Sequence, residues 1–157
     1  MIEYTRENGC NIIRLTVPGR IECRDLVLRT VSAACKLIVP RGRERGALHS
    51  EWTHHLVSAV GEAYNNIVLH GYAGREPGYV EFHIENSSNW MRIVVKDTGM
   101  SFDPFQATLP DLDALPESGL GVFIMRSFVD EMTYEAGTTN VLTLFKRLDE
   151  SPQPLSI

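Results

Sequence analysis

Residues 79–97 constrain the fold more than any other stretch of the chain. From Tyr79 to Glu85, Val80, Phe82 and Ile84 fall on one face and Glu81, His83 and Glu85 on the other; Asn86-Ser87-Ser88-Asn89 offers a turn, and Trp90 to Asp97 returns. A period of two on both sides of a turn is the pattern of paired strands, and strands joined by a tight turn are antiparallel. A second hairpin is read further on, with 132–136 against 141–147. Helical stretches come before and between these hairpins. They have to bury their apolar stripes on the sheet, so the chain reads as an α+β two-layer sandwich, with helices on one face of a largely antiparallel mixed sheet.

The other elements follow from periodicity and breakers. Residues 10–17 read as a strand closed by Pro18-Gly19. Asp25 is a candidate N-cap for a helix to about Val39, with a stripe of Leu26, Arg29 or Thr30, Ala33 or Ala34, and Leu37; Pro40 ends it. The basic linker Arg41–Gly46 is a solvated connection by default. A longer helix is expected from about Leu48 to Leu69, because Leu48, Trp52, Leu56, Val60, Ala63, Ile67 and Val68 (or Tyr64) recur every three or four residues. Residues 98–118 carry Gly99 and three prolines without periodicity, and a loop of about twenty residues inside a compact domain is usually functional. A helix from about Gly121 to Asp130 precedes the last hairpin. Ser151-Pro152-Gln153-Pro154 reads as a frayed end, which leaves one domain over 1–148 and a disordered tail over 149–157.

Charge and composition narrow the function. Fifteen basic against twenty acidic residues leave a net charge of −5, a poor match for direct nucleic-acid binding, which depends on neutralising phosphates. No run approaches the roughly 18–20 apolar residues of a membrane span. Charges in Ile2–Glu7 stand where a secretory signal needs apolar residues, and Cys10, Cys23 and Cys35 have no CxxC spacing. A cytoplasmic protein with reduced thiols is the expectation. His54-His55 lies in a helix, where neighbours point apart, so a shared metal is not expected.

Three clusters could carry chemistry. Glu62-Ala63-Tyr64-Asn65-Asn66 places a carboxylate and an amide four residues apart on one helical face. A solvated polar stripe explains many such pairs, yet two consecutive Asn residues deep in a helix are locally costly, and an amide oxygen suits Mg²⁺. Asp97-Thr98-Gly99-Met100-Ser101-Phe102-Asp103-Pro104 puts an acid at the end of a strand, ahead of a glycine that permits close backbone approach. Ser118-Gly119-Leu120-Gly121 opens a helix whose first N–H groups suit a phosphate.

In this order and on these elements, the clusters resemble the N, G1 and G2 boxes of the GHKL, or histidine-kinase-like, ATPase superfamily. The run from Glu62 through Asn66 to His70-Gly71-Tyr72 is most similar to that of the bacterial anti-sigma-factor serine kinases, and so are Asp97-x-Gly99-x-x-Phe102-Asp103-Pro104 and Ser118–Gly121. The resemblance covers about residues 10–148 and implies ATP and Mg²⁺ as cofactors. Asn66 would ligate the metal, and Asp97 would accept a hydrogen bond from the adenine amine. Gly99 would let the base approach the backbone. Gly119, Leu120 and Gly121 would cradle phosphates, and Glu62 would be the general base acting on a partner's serine hydroxyl. A threonine near the last strand commonly assists adenine binding. Thr138, Thr139 and Thr143 are all candidates, with Thr143 taken into the site. Ser101 departs from the family pattern, which often has a second glycine there. His70 belongs to the family-like run, although a histidine near the negative end of a helix needs no further role.

The resemblance further implies an anti-sigma factor. Such a kinase phosphorylates a STAS-type anti-sigma-factor antagonist, sequesters a sigma factor or other transcription regulator, and forms a homodimer. Two rivals belong to other classes: a non-catalytic nucleotide-binding partner switch, and a detached histidine-kinase-type ATPase domain. Glu62 argues against the first, since a pure binding module has no need of a base. The short loop, and the lack of an upstream helix with a phospho-acceptor histidine, argue against the second.

Overall fold

The computed structural model describes residues 1–38, 45–102 and 120–148. The strands are β1 (Ile2–Glu7), β2 (Cys10–Pro18), β3 (Tyr79–Asn86), β4 (Trp90–Asp97), β5 (Glu131–Glu135) and β6 (Asn140–Arg147). The helices are α1 (Arg24–Lys36), α2 (Arg45–Asn66) and α3 (Leu120–Phe128). The strands form one six-stranded sheet in the order β1-β2-β3-β4-β6-β5. Each neighbouring pair is antiparallel, so the described sheet has no parallel component and the expected mixed character is not found in it. The expected tail 149–157, and most of the linker and of the 98–118 loop, lie outside the described residues.

Alternation along the strands sorts the residues into two faces. Leu15 and Val17, Val80, Phe82 and Ile84, Ile93 and Val95, and Leu144 are buried and belong to one core with the inner faces of the helices. Charged and polar residues such as Glu81, Arg92 and Lys96 occupy the other face. On α2 the expected stripe holds from Trp52 through Leu56, Val60 and Ala63 to Ile67, with Tyr64 fully buried beside it. The Tyr64 hydroxyl points at two carbonyls, donating to Arg20 O at 2.7 Å with Pro18 O at 3.0 Å. Burial pushes its pKa up to about 12.

Three local expectations are corrected. β1 has no counterpart among the expected elements; it pairs with β2 through Asn8-Gly9, both at positive φ (51° and 80°), the backbone twist that suits a two-residue hairpin. The buried face of α1 is Val27, Thr30, Val31, Ala34 and Cys35, whereas Leu26 and Leu37 are exposed. Small and β-branched side chains let this helix lie close to its neighbours, so the leucines mark the wrong face. Asp25 does not cap α1. The helix follows a 3₁₀ turn at Ile21–Cys23, and Asp25 pairs instead with Arg29 at 2.6 Å on the surface.

One polar group in the core ties the layers together. Asn86 is fully buried, donates to Ala34 O at the end of α1 (3.0 Å) and accepts from the Asn11 amide (2.9 Å). Asn86→Ala should therefore cost about 1–3 kcal/mol, because a helix carbonyl and an amide lose their partner inside the protein. The urea midpoint measures it, and an unchanged midpoint would mean that water replaces the amide freely.

Candidate functional site

The site is built on the end of α2. Glu62 and Asn66 share one face, as their spacing requires. Their neighbour Asn65 serves the packing of the helices. Its Oδ1 accepts a hydrogen bond from Arg24 Nε at 2.9 Å, which joins α1 to α2. Of the two costly asparagines, one is therefore accounted for by structure alone. Among the described residues, no hydrogen bond engages the Asn66 side chain, and it lines a cavity.

After Asn66 the helix widens into a π turn, Ile67–Gly71, with Tyr72 N–H donating to Ile67 O at 3.0 Å. Such insertions gather at functional sites. Here the turn brings the chain back against the end of β4. The buried Tyr72 hydroxyl accepts from Thr98 N–H at 3.1 Å and meets Thr98 Oγ1 at 3.1 Å, and Met100 N–H donates to Gly71 O at 2.7 Å. His70 is exposed in this turn.

Asp97 ends β4 and is buried. Its Oδ1 accepts from Gly99 N–H at 2.8 Å and from Asn140 Nδ2 at 3.1 Å, and Oδ2 takes part in neither bond. Asp97 and Asn140 are register partners across β4 and β6, which explains how residues 43 apart in sequence meet. No local pattern along the chain singles out Asn140. Only the strand register brings it to the acid.

Gly99 packs tightly against Gly71. A β-carbon there would stand 2.8 Å from the Gly71 carbonyl carbon and oxygen.

The cavity is mostly apolar. Ala63 of α2, Ile67 of the π turn, Met125 of α3 and Leu142 of β6 form its walls, and Asn66 and Asp97 are its polar members on α2 and β4. An apolar slot with one buried carboxylate acceptor suits a flat heterocycle bearing an amine. Phe102 is held at its rim by a bond from its N–H to the Tyr134 hydroxyl, 2.9 Å.

The first turn of α3 lies next to Glu62. A β-carbon on Gly121 would come 2.7 Å from Glu62 Oε2, so the carboxylate sits at the helix N-terminus. Leu120 opens that turn and is 47% exposed. Gly119, Asp103 and Pro104 lie outside the described residues. Thr143 is not brought to the cluster. It sits between the buried Leu142 and Leu144, and alternation turns it to the opposite face from cavity-lining Leu142. The structure instead puts Asn140 next to Asp97.

The arrangement fits a single Mg²⁺ contact. The Asn66 amide offers an oxygen that no side chain among the described residues engages, and Mg²⁺ commonly takes few protein ligands alongside substrate phosphates. Among the described residues, no group of three or more His, Cys, Asp or Glu forms a cage that would hold a metal without a substrate. No described helix is long and apolar enough to cross a membrane.

Comparison with known proteins agrees with this geometry. The model of the histidine kinase-like ATPase domain family matches residues 27–146. The serine-protein kinase RsbW of Halalkalibacterium halodurans is 30% identical over 148 residues, covering 88% of this chain and 85% of that protein. RsbW of Bacillus pumilus is 29% identical over 147 residues, with 86% of each covered. The anti-sigma F factor of Clostridium novyi is 33% identical over 90 residues, and that match spans 61% of its length, less than two thirds.

Proposed function

The chain belongs to the histidine kinase-like ATPase domain family, within its branch of anti-sigma-factor serine kinases, and from this premise we propose that it is an ATP-dependent protein serine kinase acting as an anti-sigma factor. Its protein substrate is a STAS-type anti-sigma-factor antagonist, and its second partner is a sigma factor or similar transcription regulator. It works as a cytoplasmic homodimer.

One observation carries the catalytic part of this reading. Asp97 and Asn66 line the same cavity, and Glu62, one turn before Asn66, reaches the N-terminus of α3. Base, phosphates and acceptor hydroxyl can thus be served along one continuous surface. Asp97 Oδ2 accepts from the adenine amine, and the phosphates are bound by Gly119, Leu120 and Gly121, the last two of which stand in the first turn of α3. Asn66 is the residue that would hold Mg²⁺, which when bound neutralises phosphate charge. Glu62 takes the proton of the incoming serine hydroxyl as its oxygen bonds to the γ-phosphorus and the bond from that phosphorus to the β-phosphate oxygen breaks, which releases ADP. A nucleotide-binding module without transfer would leave the Glu62 carboxylate at this place without a use.

Nucleotide choice tests the reading. The protein should bind ATP at least tenfold more tightly than GTP, since an unpaired acceptor facing the wrong base loses on the order of 1–3 kcal/mol. Isothermal titration with each Mg-nucleotide decides it, and equal affinities would remove Asp97 from the base site.

A further inference from the structure

The amide of Asn140 is fully buried and has every hydrogen-bonding position filled. Its Nδ2 donates to Asp97 Oδ1 at 3.1 Å and to Gly99 O at 2.9 Å. Its Oδ1 accepts from Ser101 Oγ at 2.6 Å and from Gly137 N–H at 3.3 Å. This side chain therefore joins the acid at the end of β4, the glycine after it, the hydroxyl two residues further on, and the turn between β5 and β6.

From this we infer that Asn140 is a positioning residue for nucleotide-base recognition: it holds Asp97 as an oriented carboxylate with Oδ2 presented to the cavity. The inference rests on the adenine-binding reading of Asp97 and adds the residue that sets its selectivity. Two N–H donors on one carboxylate oxygen fix the plane of the group. With Oδ1 held by two donors, Oδ2, which no described residue engages, is left to point one way, which is what discrimination between bases requires. A threonine or serine hydroxyl at this point could donate only one hydrogen; the amide donates two and spans both Asp97 and Gly99. Ser101 completes the set. Its hydroxyl fills the amide oxygen and so opposes a flipped amide, which would turn its oxygen toward the Asp97 carboxylate. Among the described residues lining the cavity, Asp97 and Tyr134 are the titratable ones, and the Tyr134 hydroxyl accepts from Phe102 N–H.

The test compares ATP with purine riboside triphosphate, which lacks the exocyclic amine, by titration on the full chain. Wild type should prefer ATP by about tenfold or more. In Asn140→Leu the preference should fall to within about threefold, because a freed Asp97 no longer presents one fixed acceptor. A purely structural role would weaken both nucleotides together and keep the ratio. Asn140→Asp covers the case in which the leucine variant does not fold, since it keeps the shape and loses the donors. Two carboxylates side by side raise the pKa of the pair. ATP affinity of this variant should thus be at least tenfold below wild type at pH 8 and recover toward it near pH 5.5, where a proton restores one donor. An unchanged ATP preference in Asn140→Leu, or a pH profile of Asn140→Asp parallel to wild type, would overturn the inference and leave the adenine reading standing. A wild type with no preference for the amine-bearing nucleotide would overturn both.

Discussion

Glu62→Gln should bind Mg-ATP within a few-fold of wild type and transfer phosphate to a STAS-type antagonist some 10²–10⁴ times more slowly. That range is the usual worth of a positioned general base. The glutamine keeps the length and the contact beside Gly121 and loses only basicity, so packing and nucleotide affinity have no reason to change. Asn66→Ala should behave differently: the amide lining the cavity is assigned to the metal, so Mg-nucleotide affinity and transfer should fall together. Radiolabelled transfer and nucleotide titration on the same preparations separate the two residues. Full transfer by Glu62→Gln would remove the mechanism, and ATP binding by wild type without transfer to any such antagonist would favour the partner-switch reading.

Gly99→Ala should be the most damaging small substitution at the site. The new methyl group would stand 2.8–2.9 Å from three backbone atoms of Gly71. Neither segment yields easily, because Met100 N–H is bonded to Gly71 O and Gly99 itself is bonded to both Asp97 and Asn140. Overpacking of this kind costs about 1–3 kcal/mol. The shift also displaces the N–H that steadies Asp97, so nucleotide affinity should drop by about tenfold or more. Gly121→Ala is the control. Its methyl group meets the far end of the Glu62 side chain, which can swing away, so the urea midpoint should stay near wild type while transfer falls as the carboxylate leaves its place. Equal midpoints for Gly99→Ala and wild type would mean that the two glycine segments separate freely.

What can be read along the chain is whatever local periodicity and spacing encode. Alternation from Tyr79 to Asp97 predicts the β3–β4 hairpin and therefore the antiparallel sheet, because only one face of each strand is apolar. The stripe from Trp52 to Ile67 predicts α2, and the four-residue spacing puts Glu62 and Asn66 on one face of it. Asp97 at a strand end and Gly121 in the first turn of α3 are visible for the same reason. Periodicity fails where two solutions compete. On α1 the large leucines outweigh the small residues that pack, and β1 is missed although Asn8-Gly9 announces a hairpin.

Tertiary structure alone decided which groups meet. Asn140 touches Asp97 because β6 pairs with β4 rather than only with β5, its neighbour in sequence. The same register turns Thr143 to the other face, since one step along a strand reverses a side chain and three steps do so again. Gly99 must be glycine because the π turn after Asn66 carries Gly71 against it, and no local pattern marks such an approach. Asn65 and Asn66 look alike in sequence, yet one is spent on Arg24 and the other faces the cavity. A residue's type and spacing state what chemistry it could do. Which partner it finds depends on contacts between elements far apart in the chain, and the fold's packing sets those.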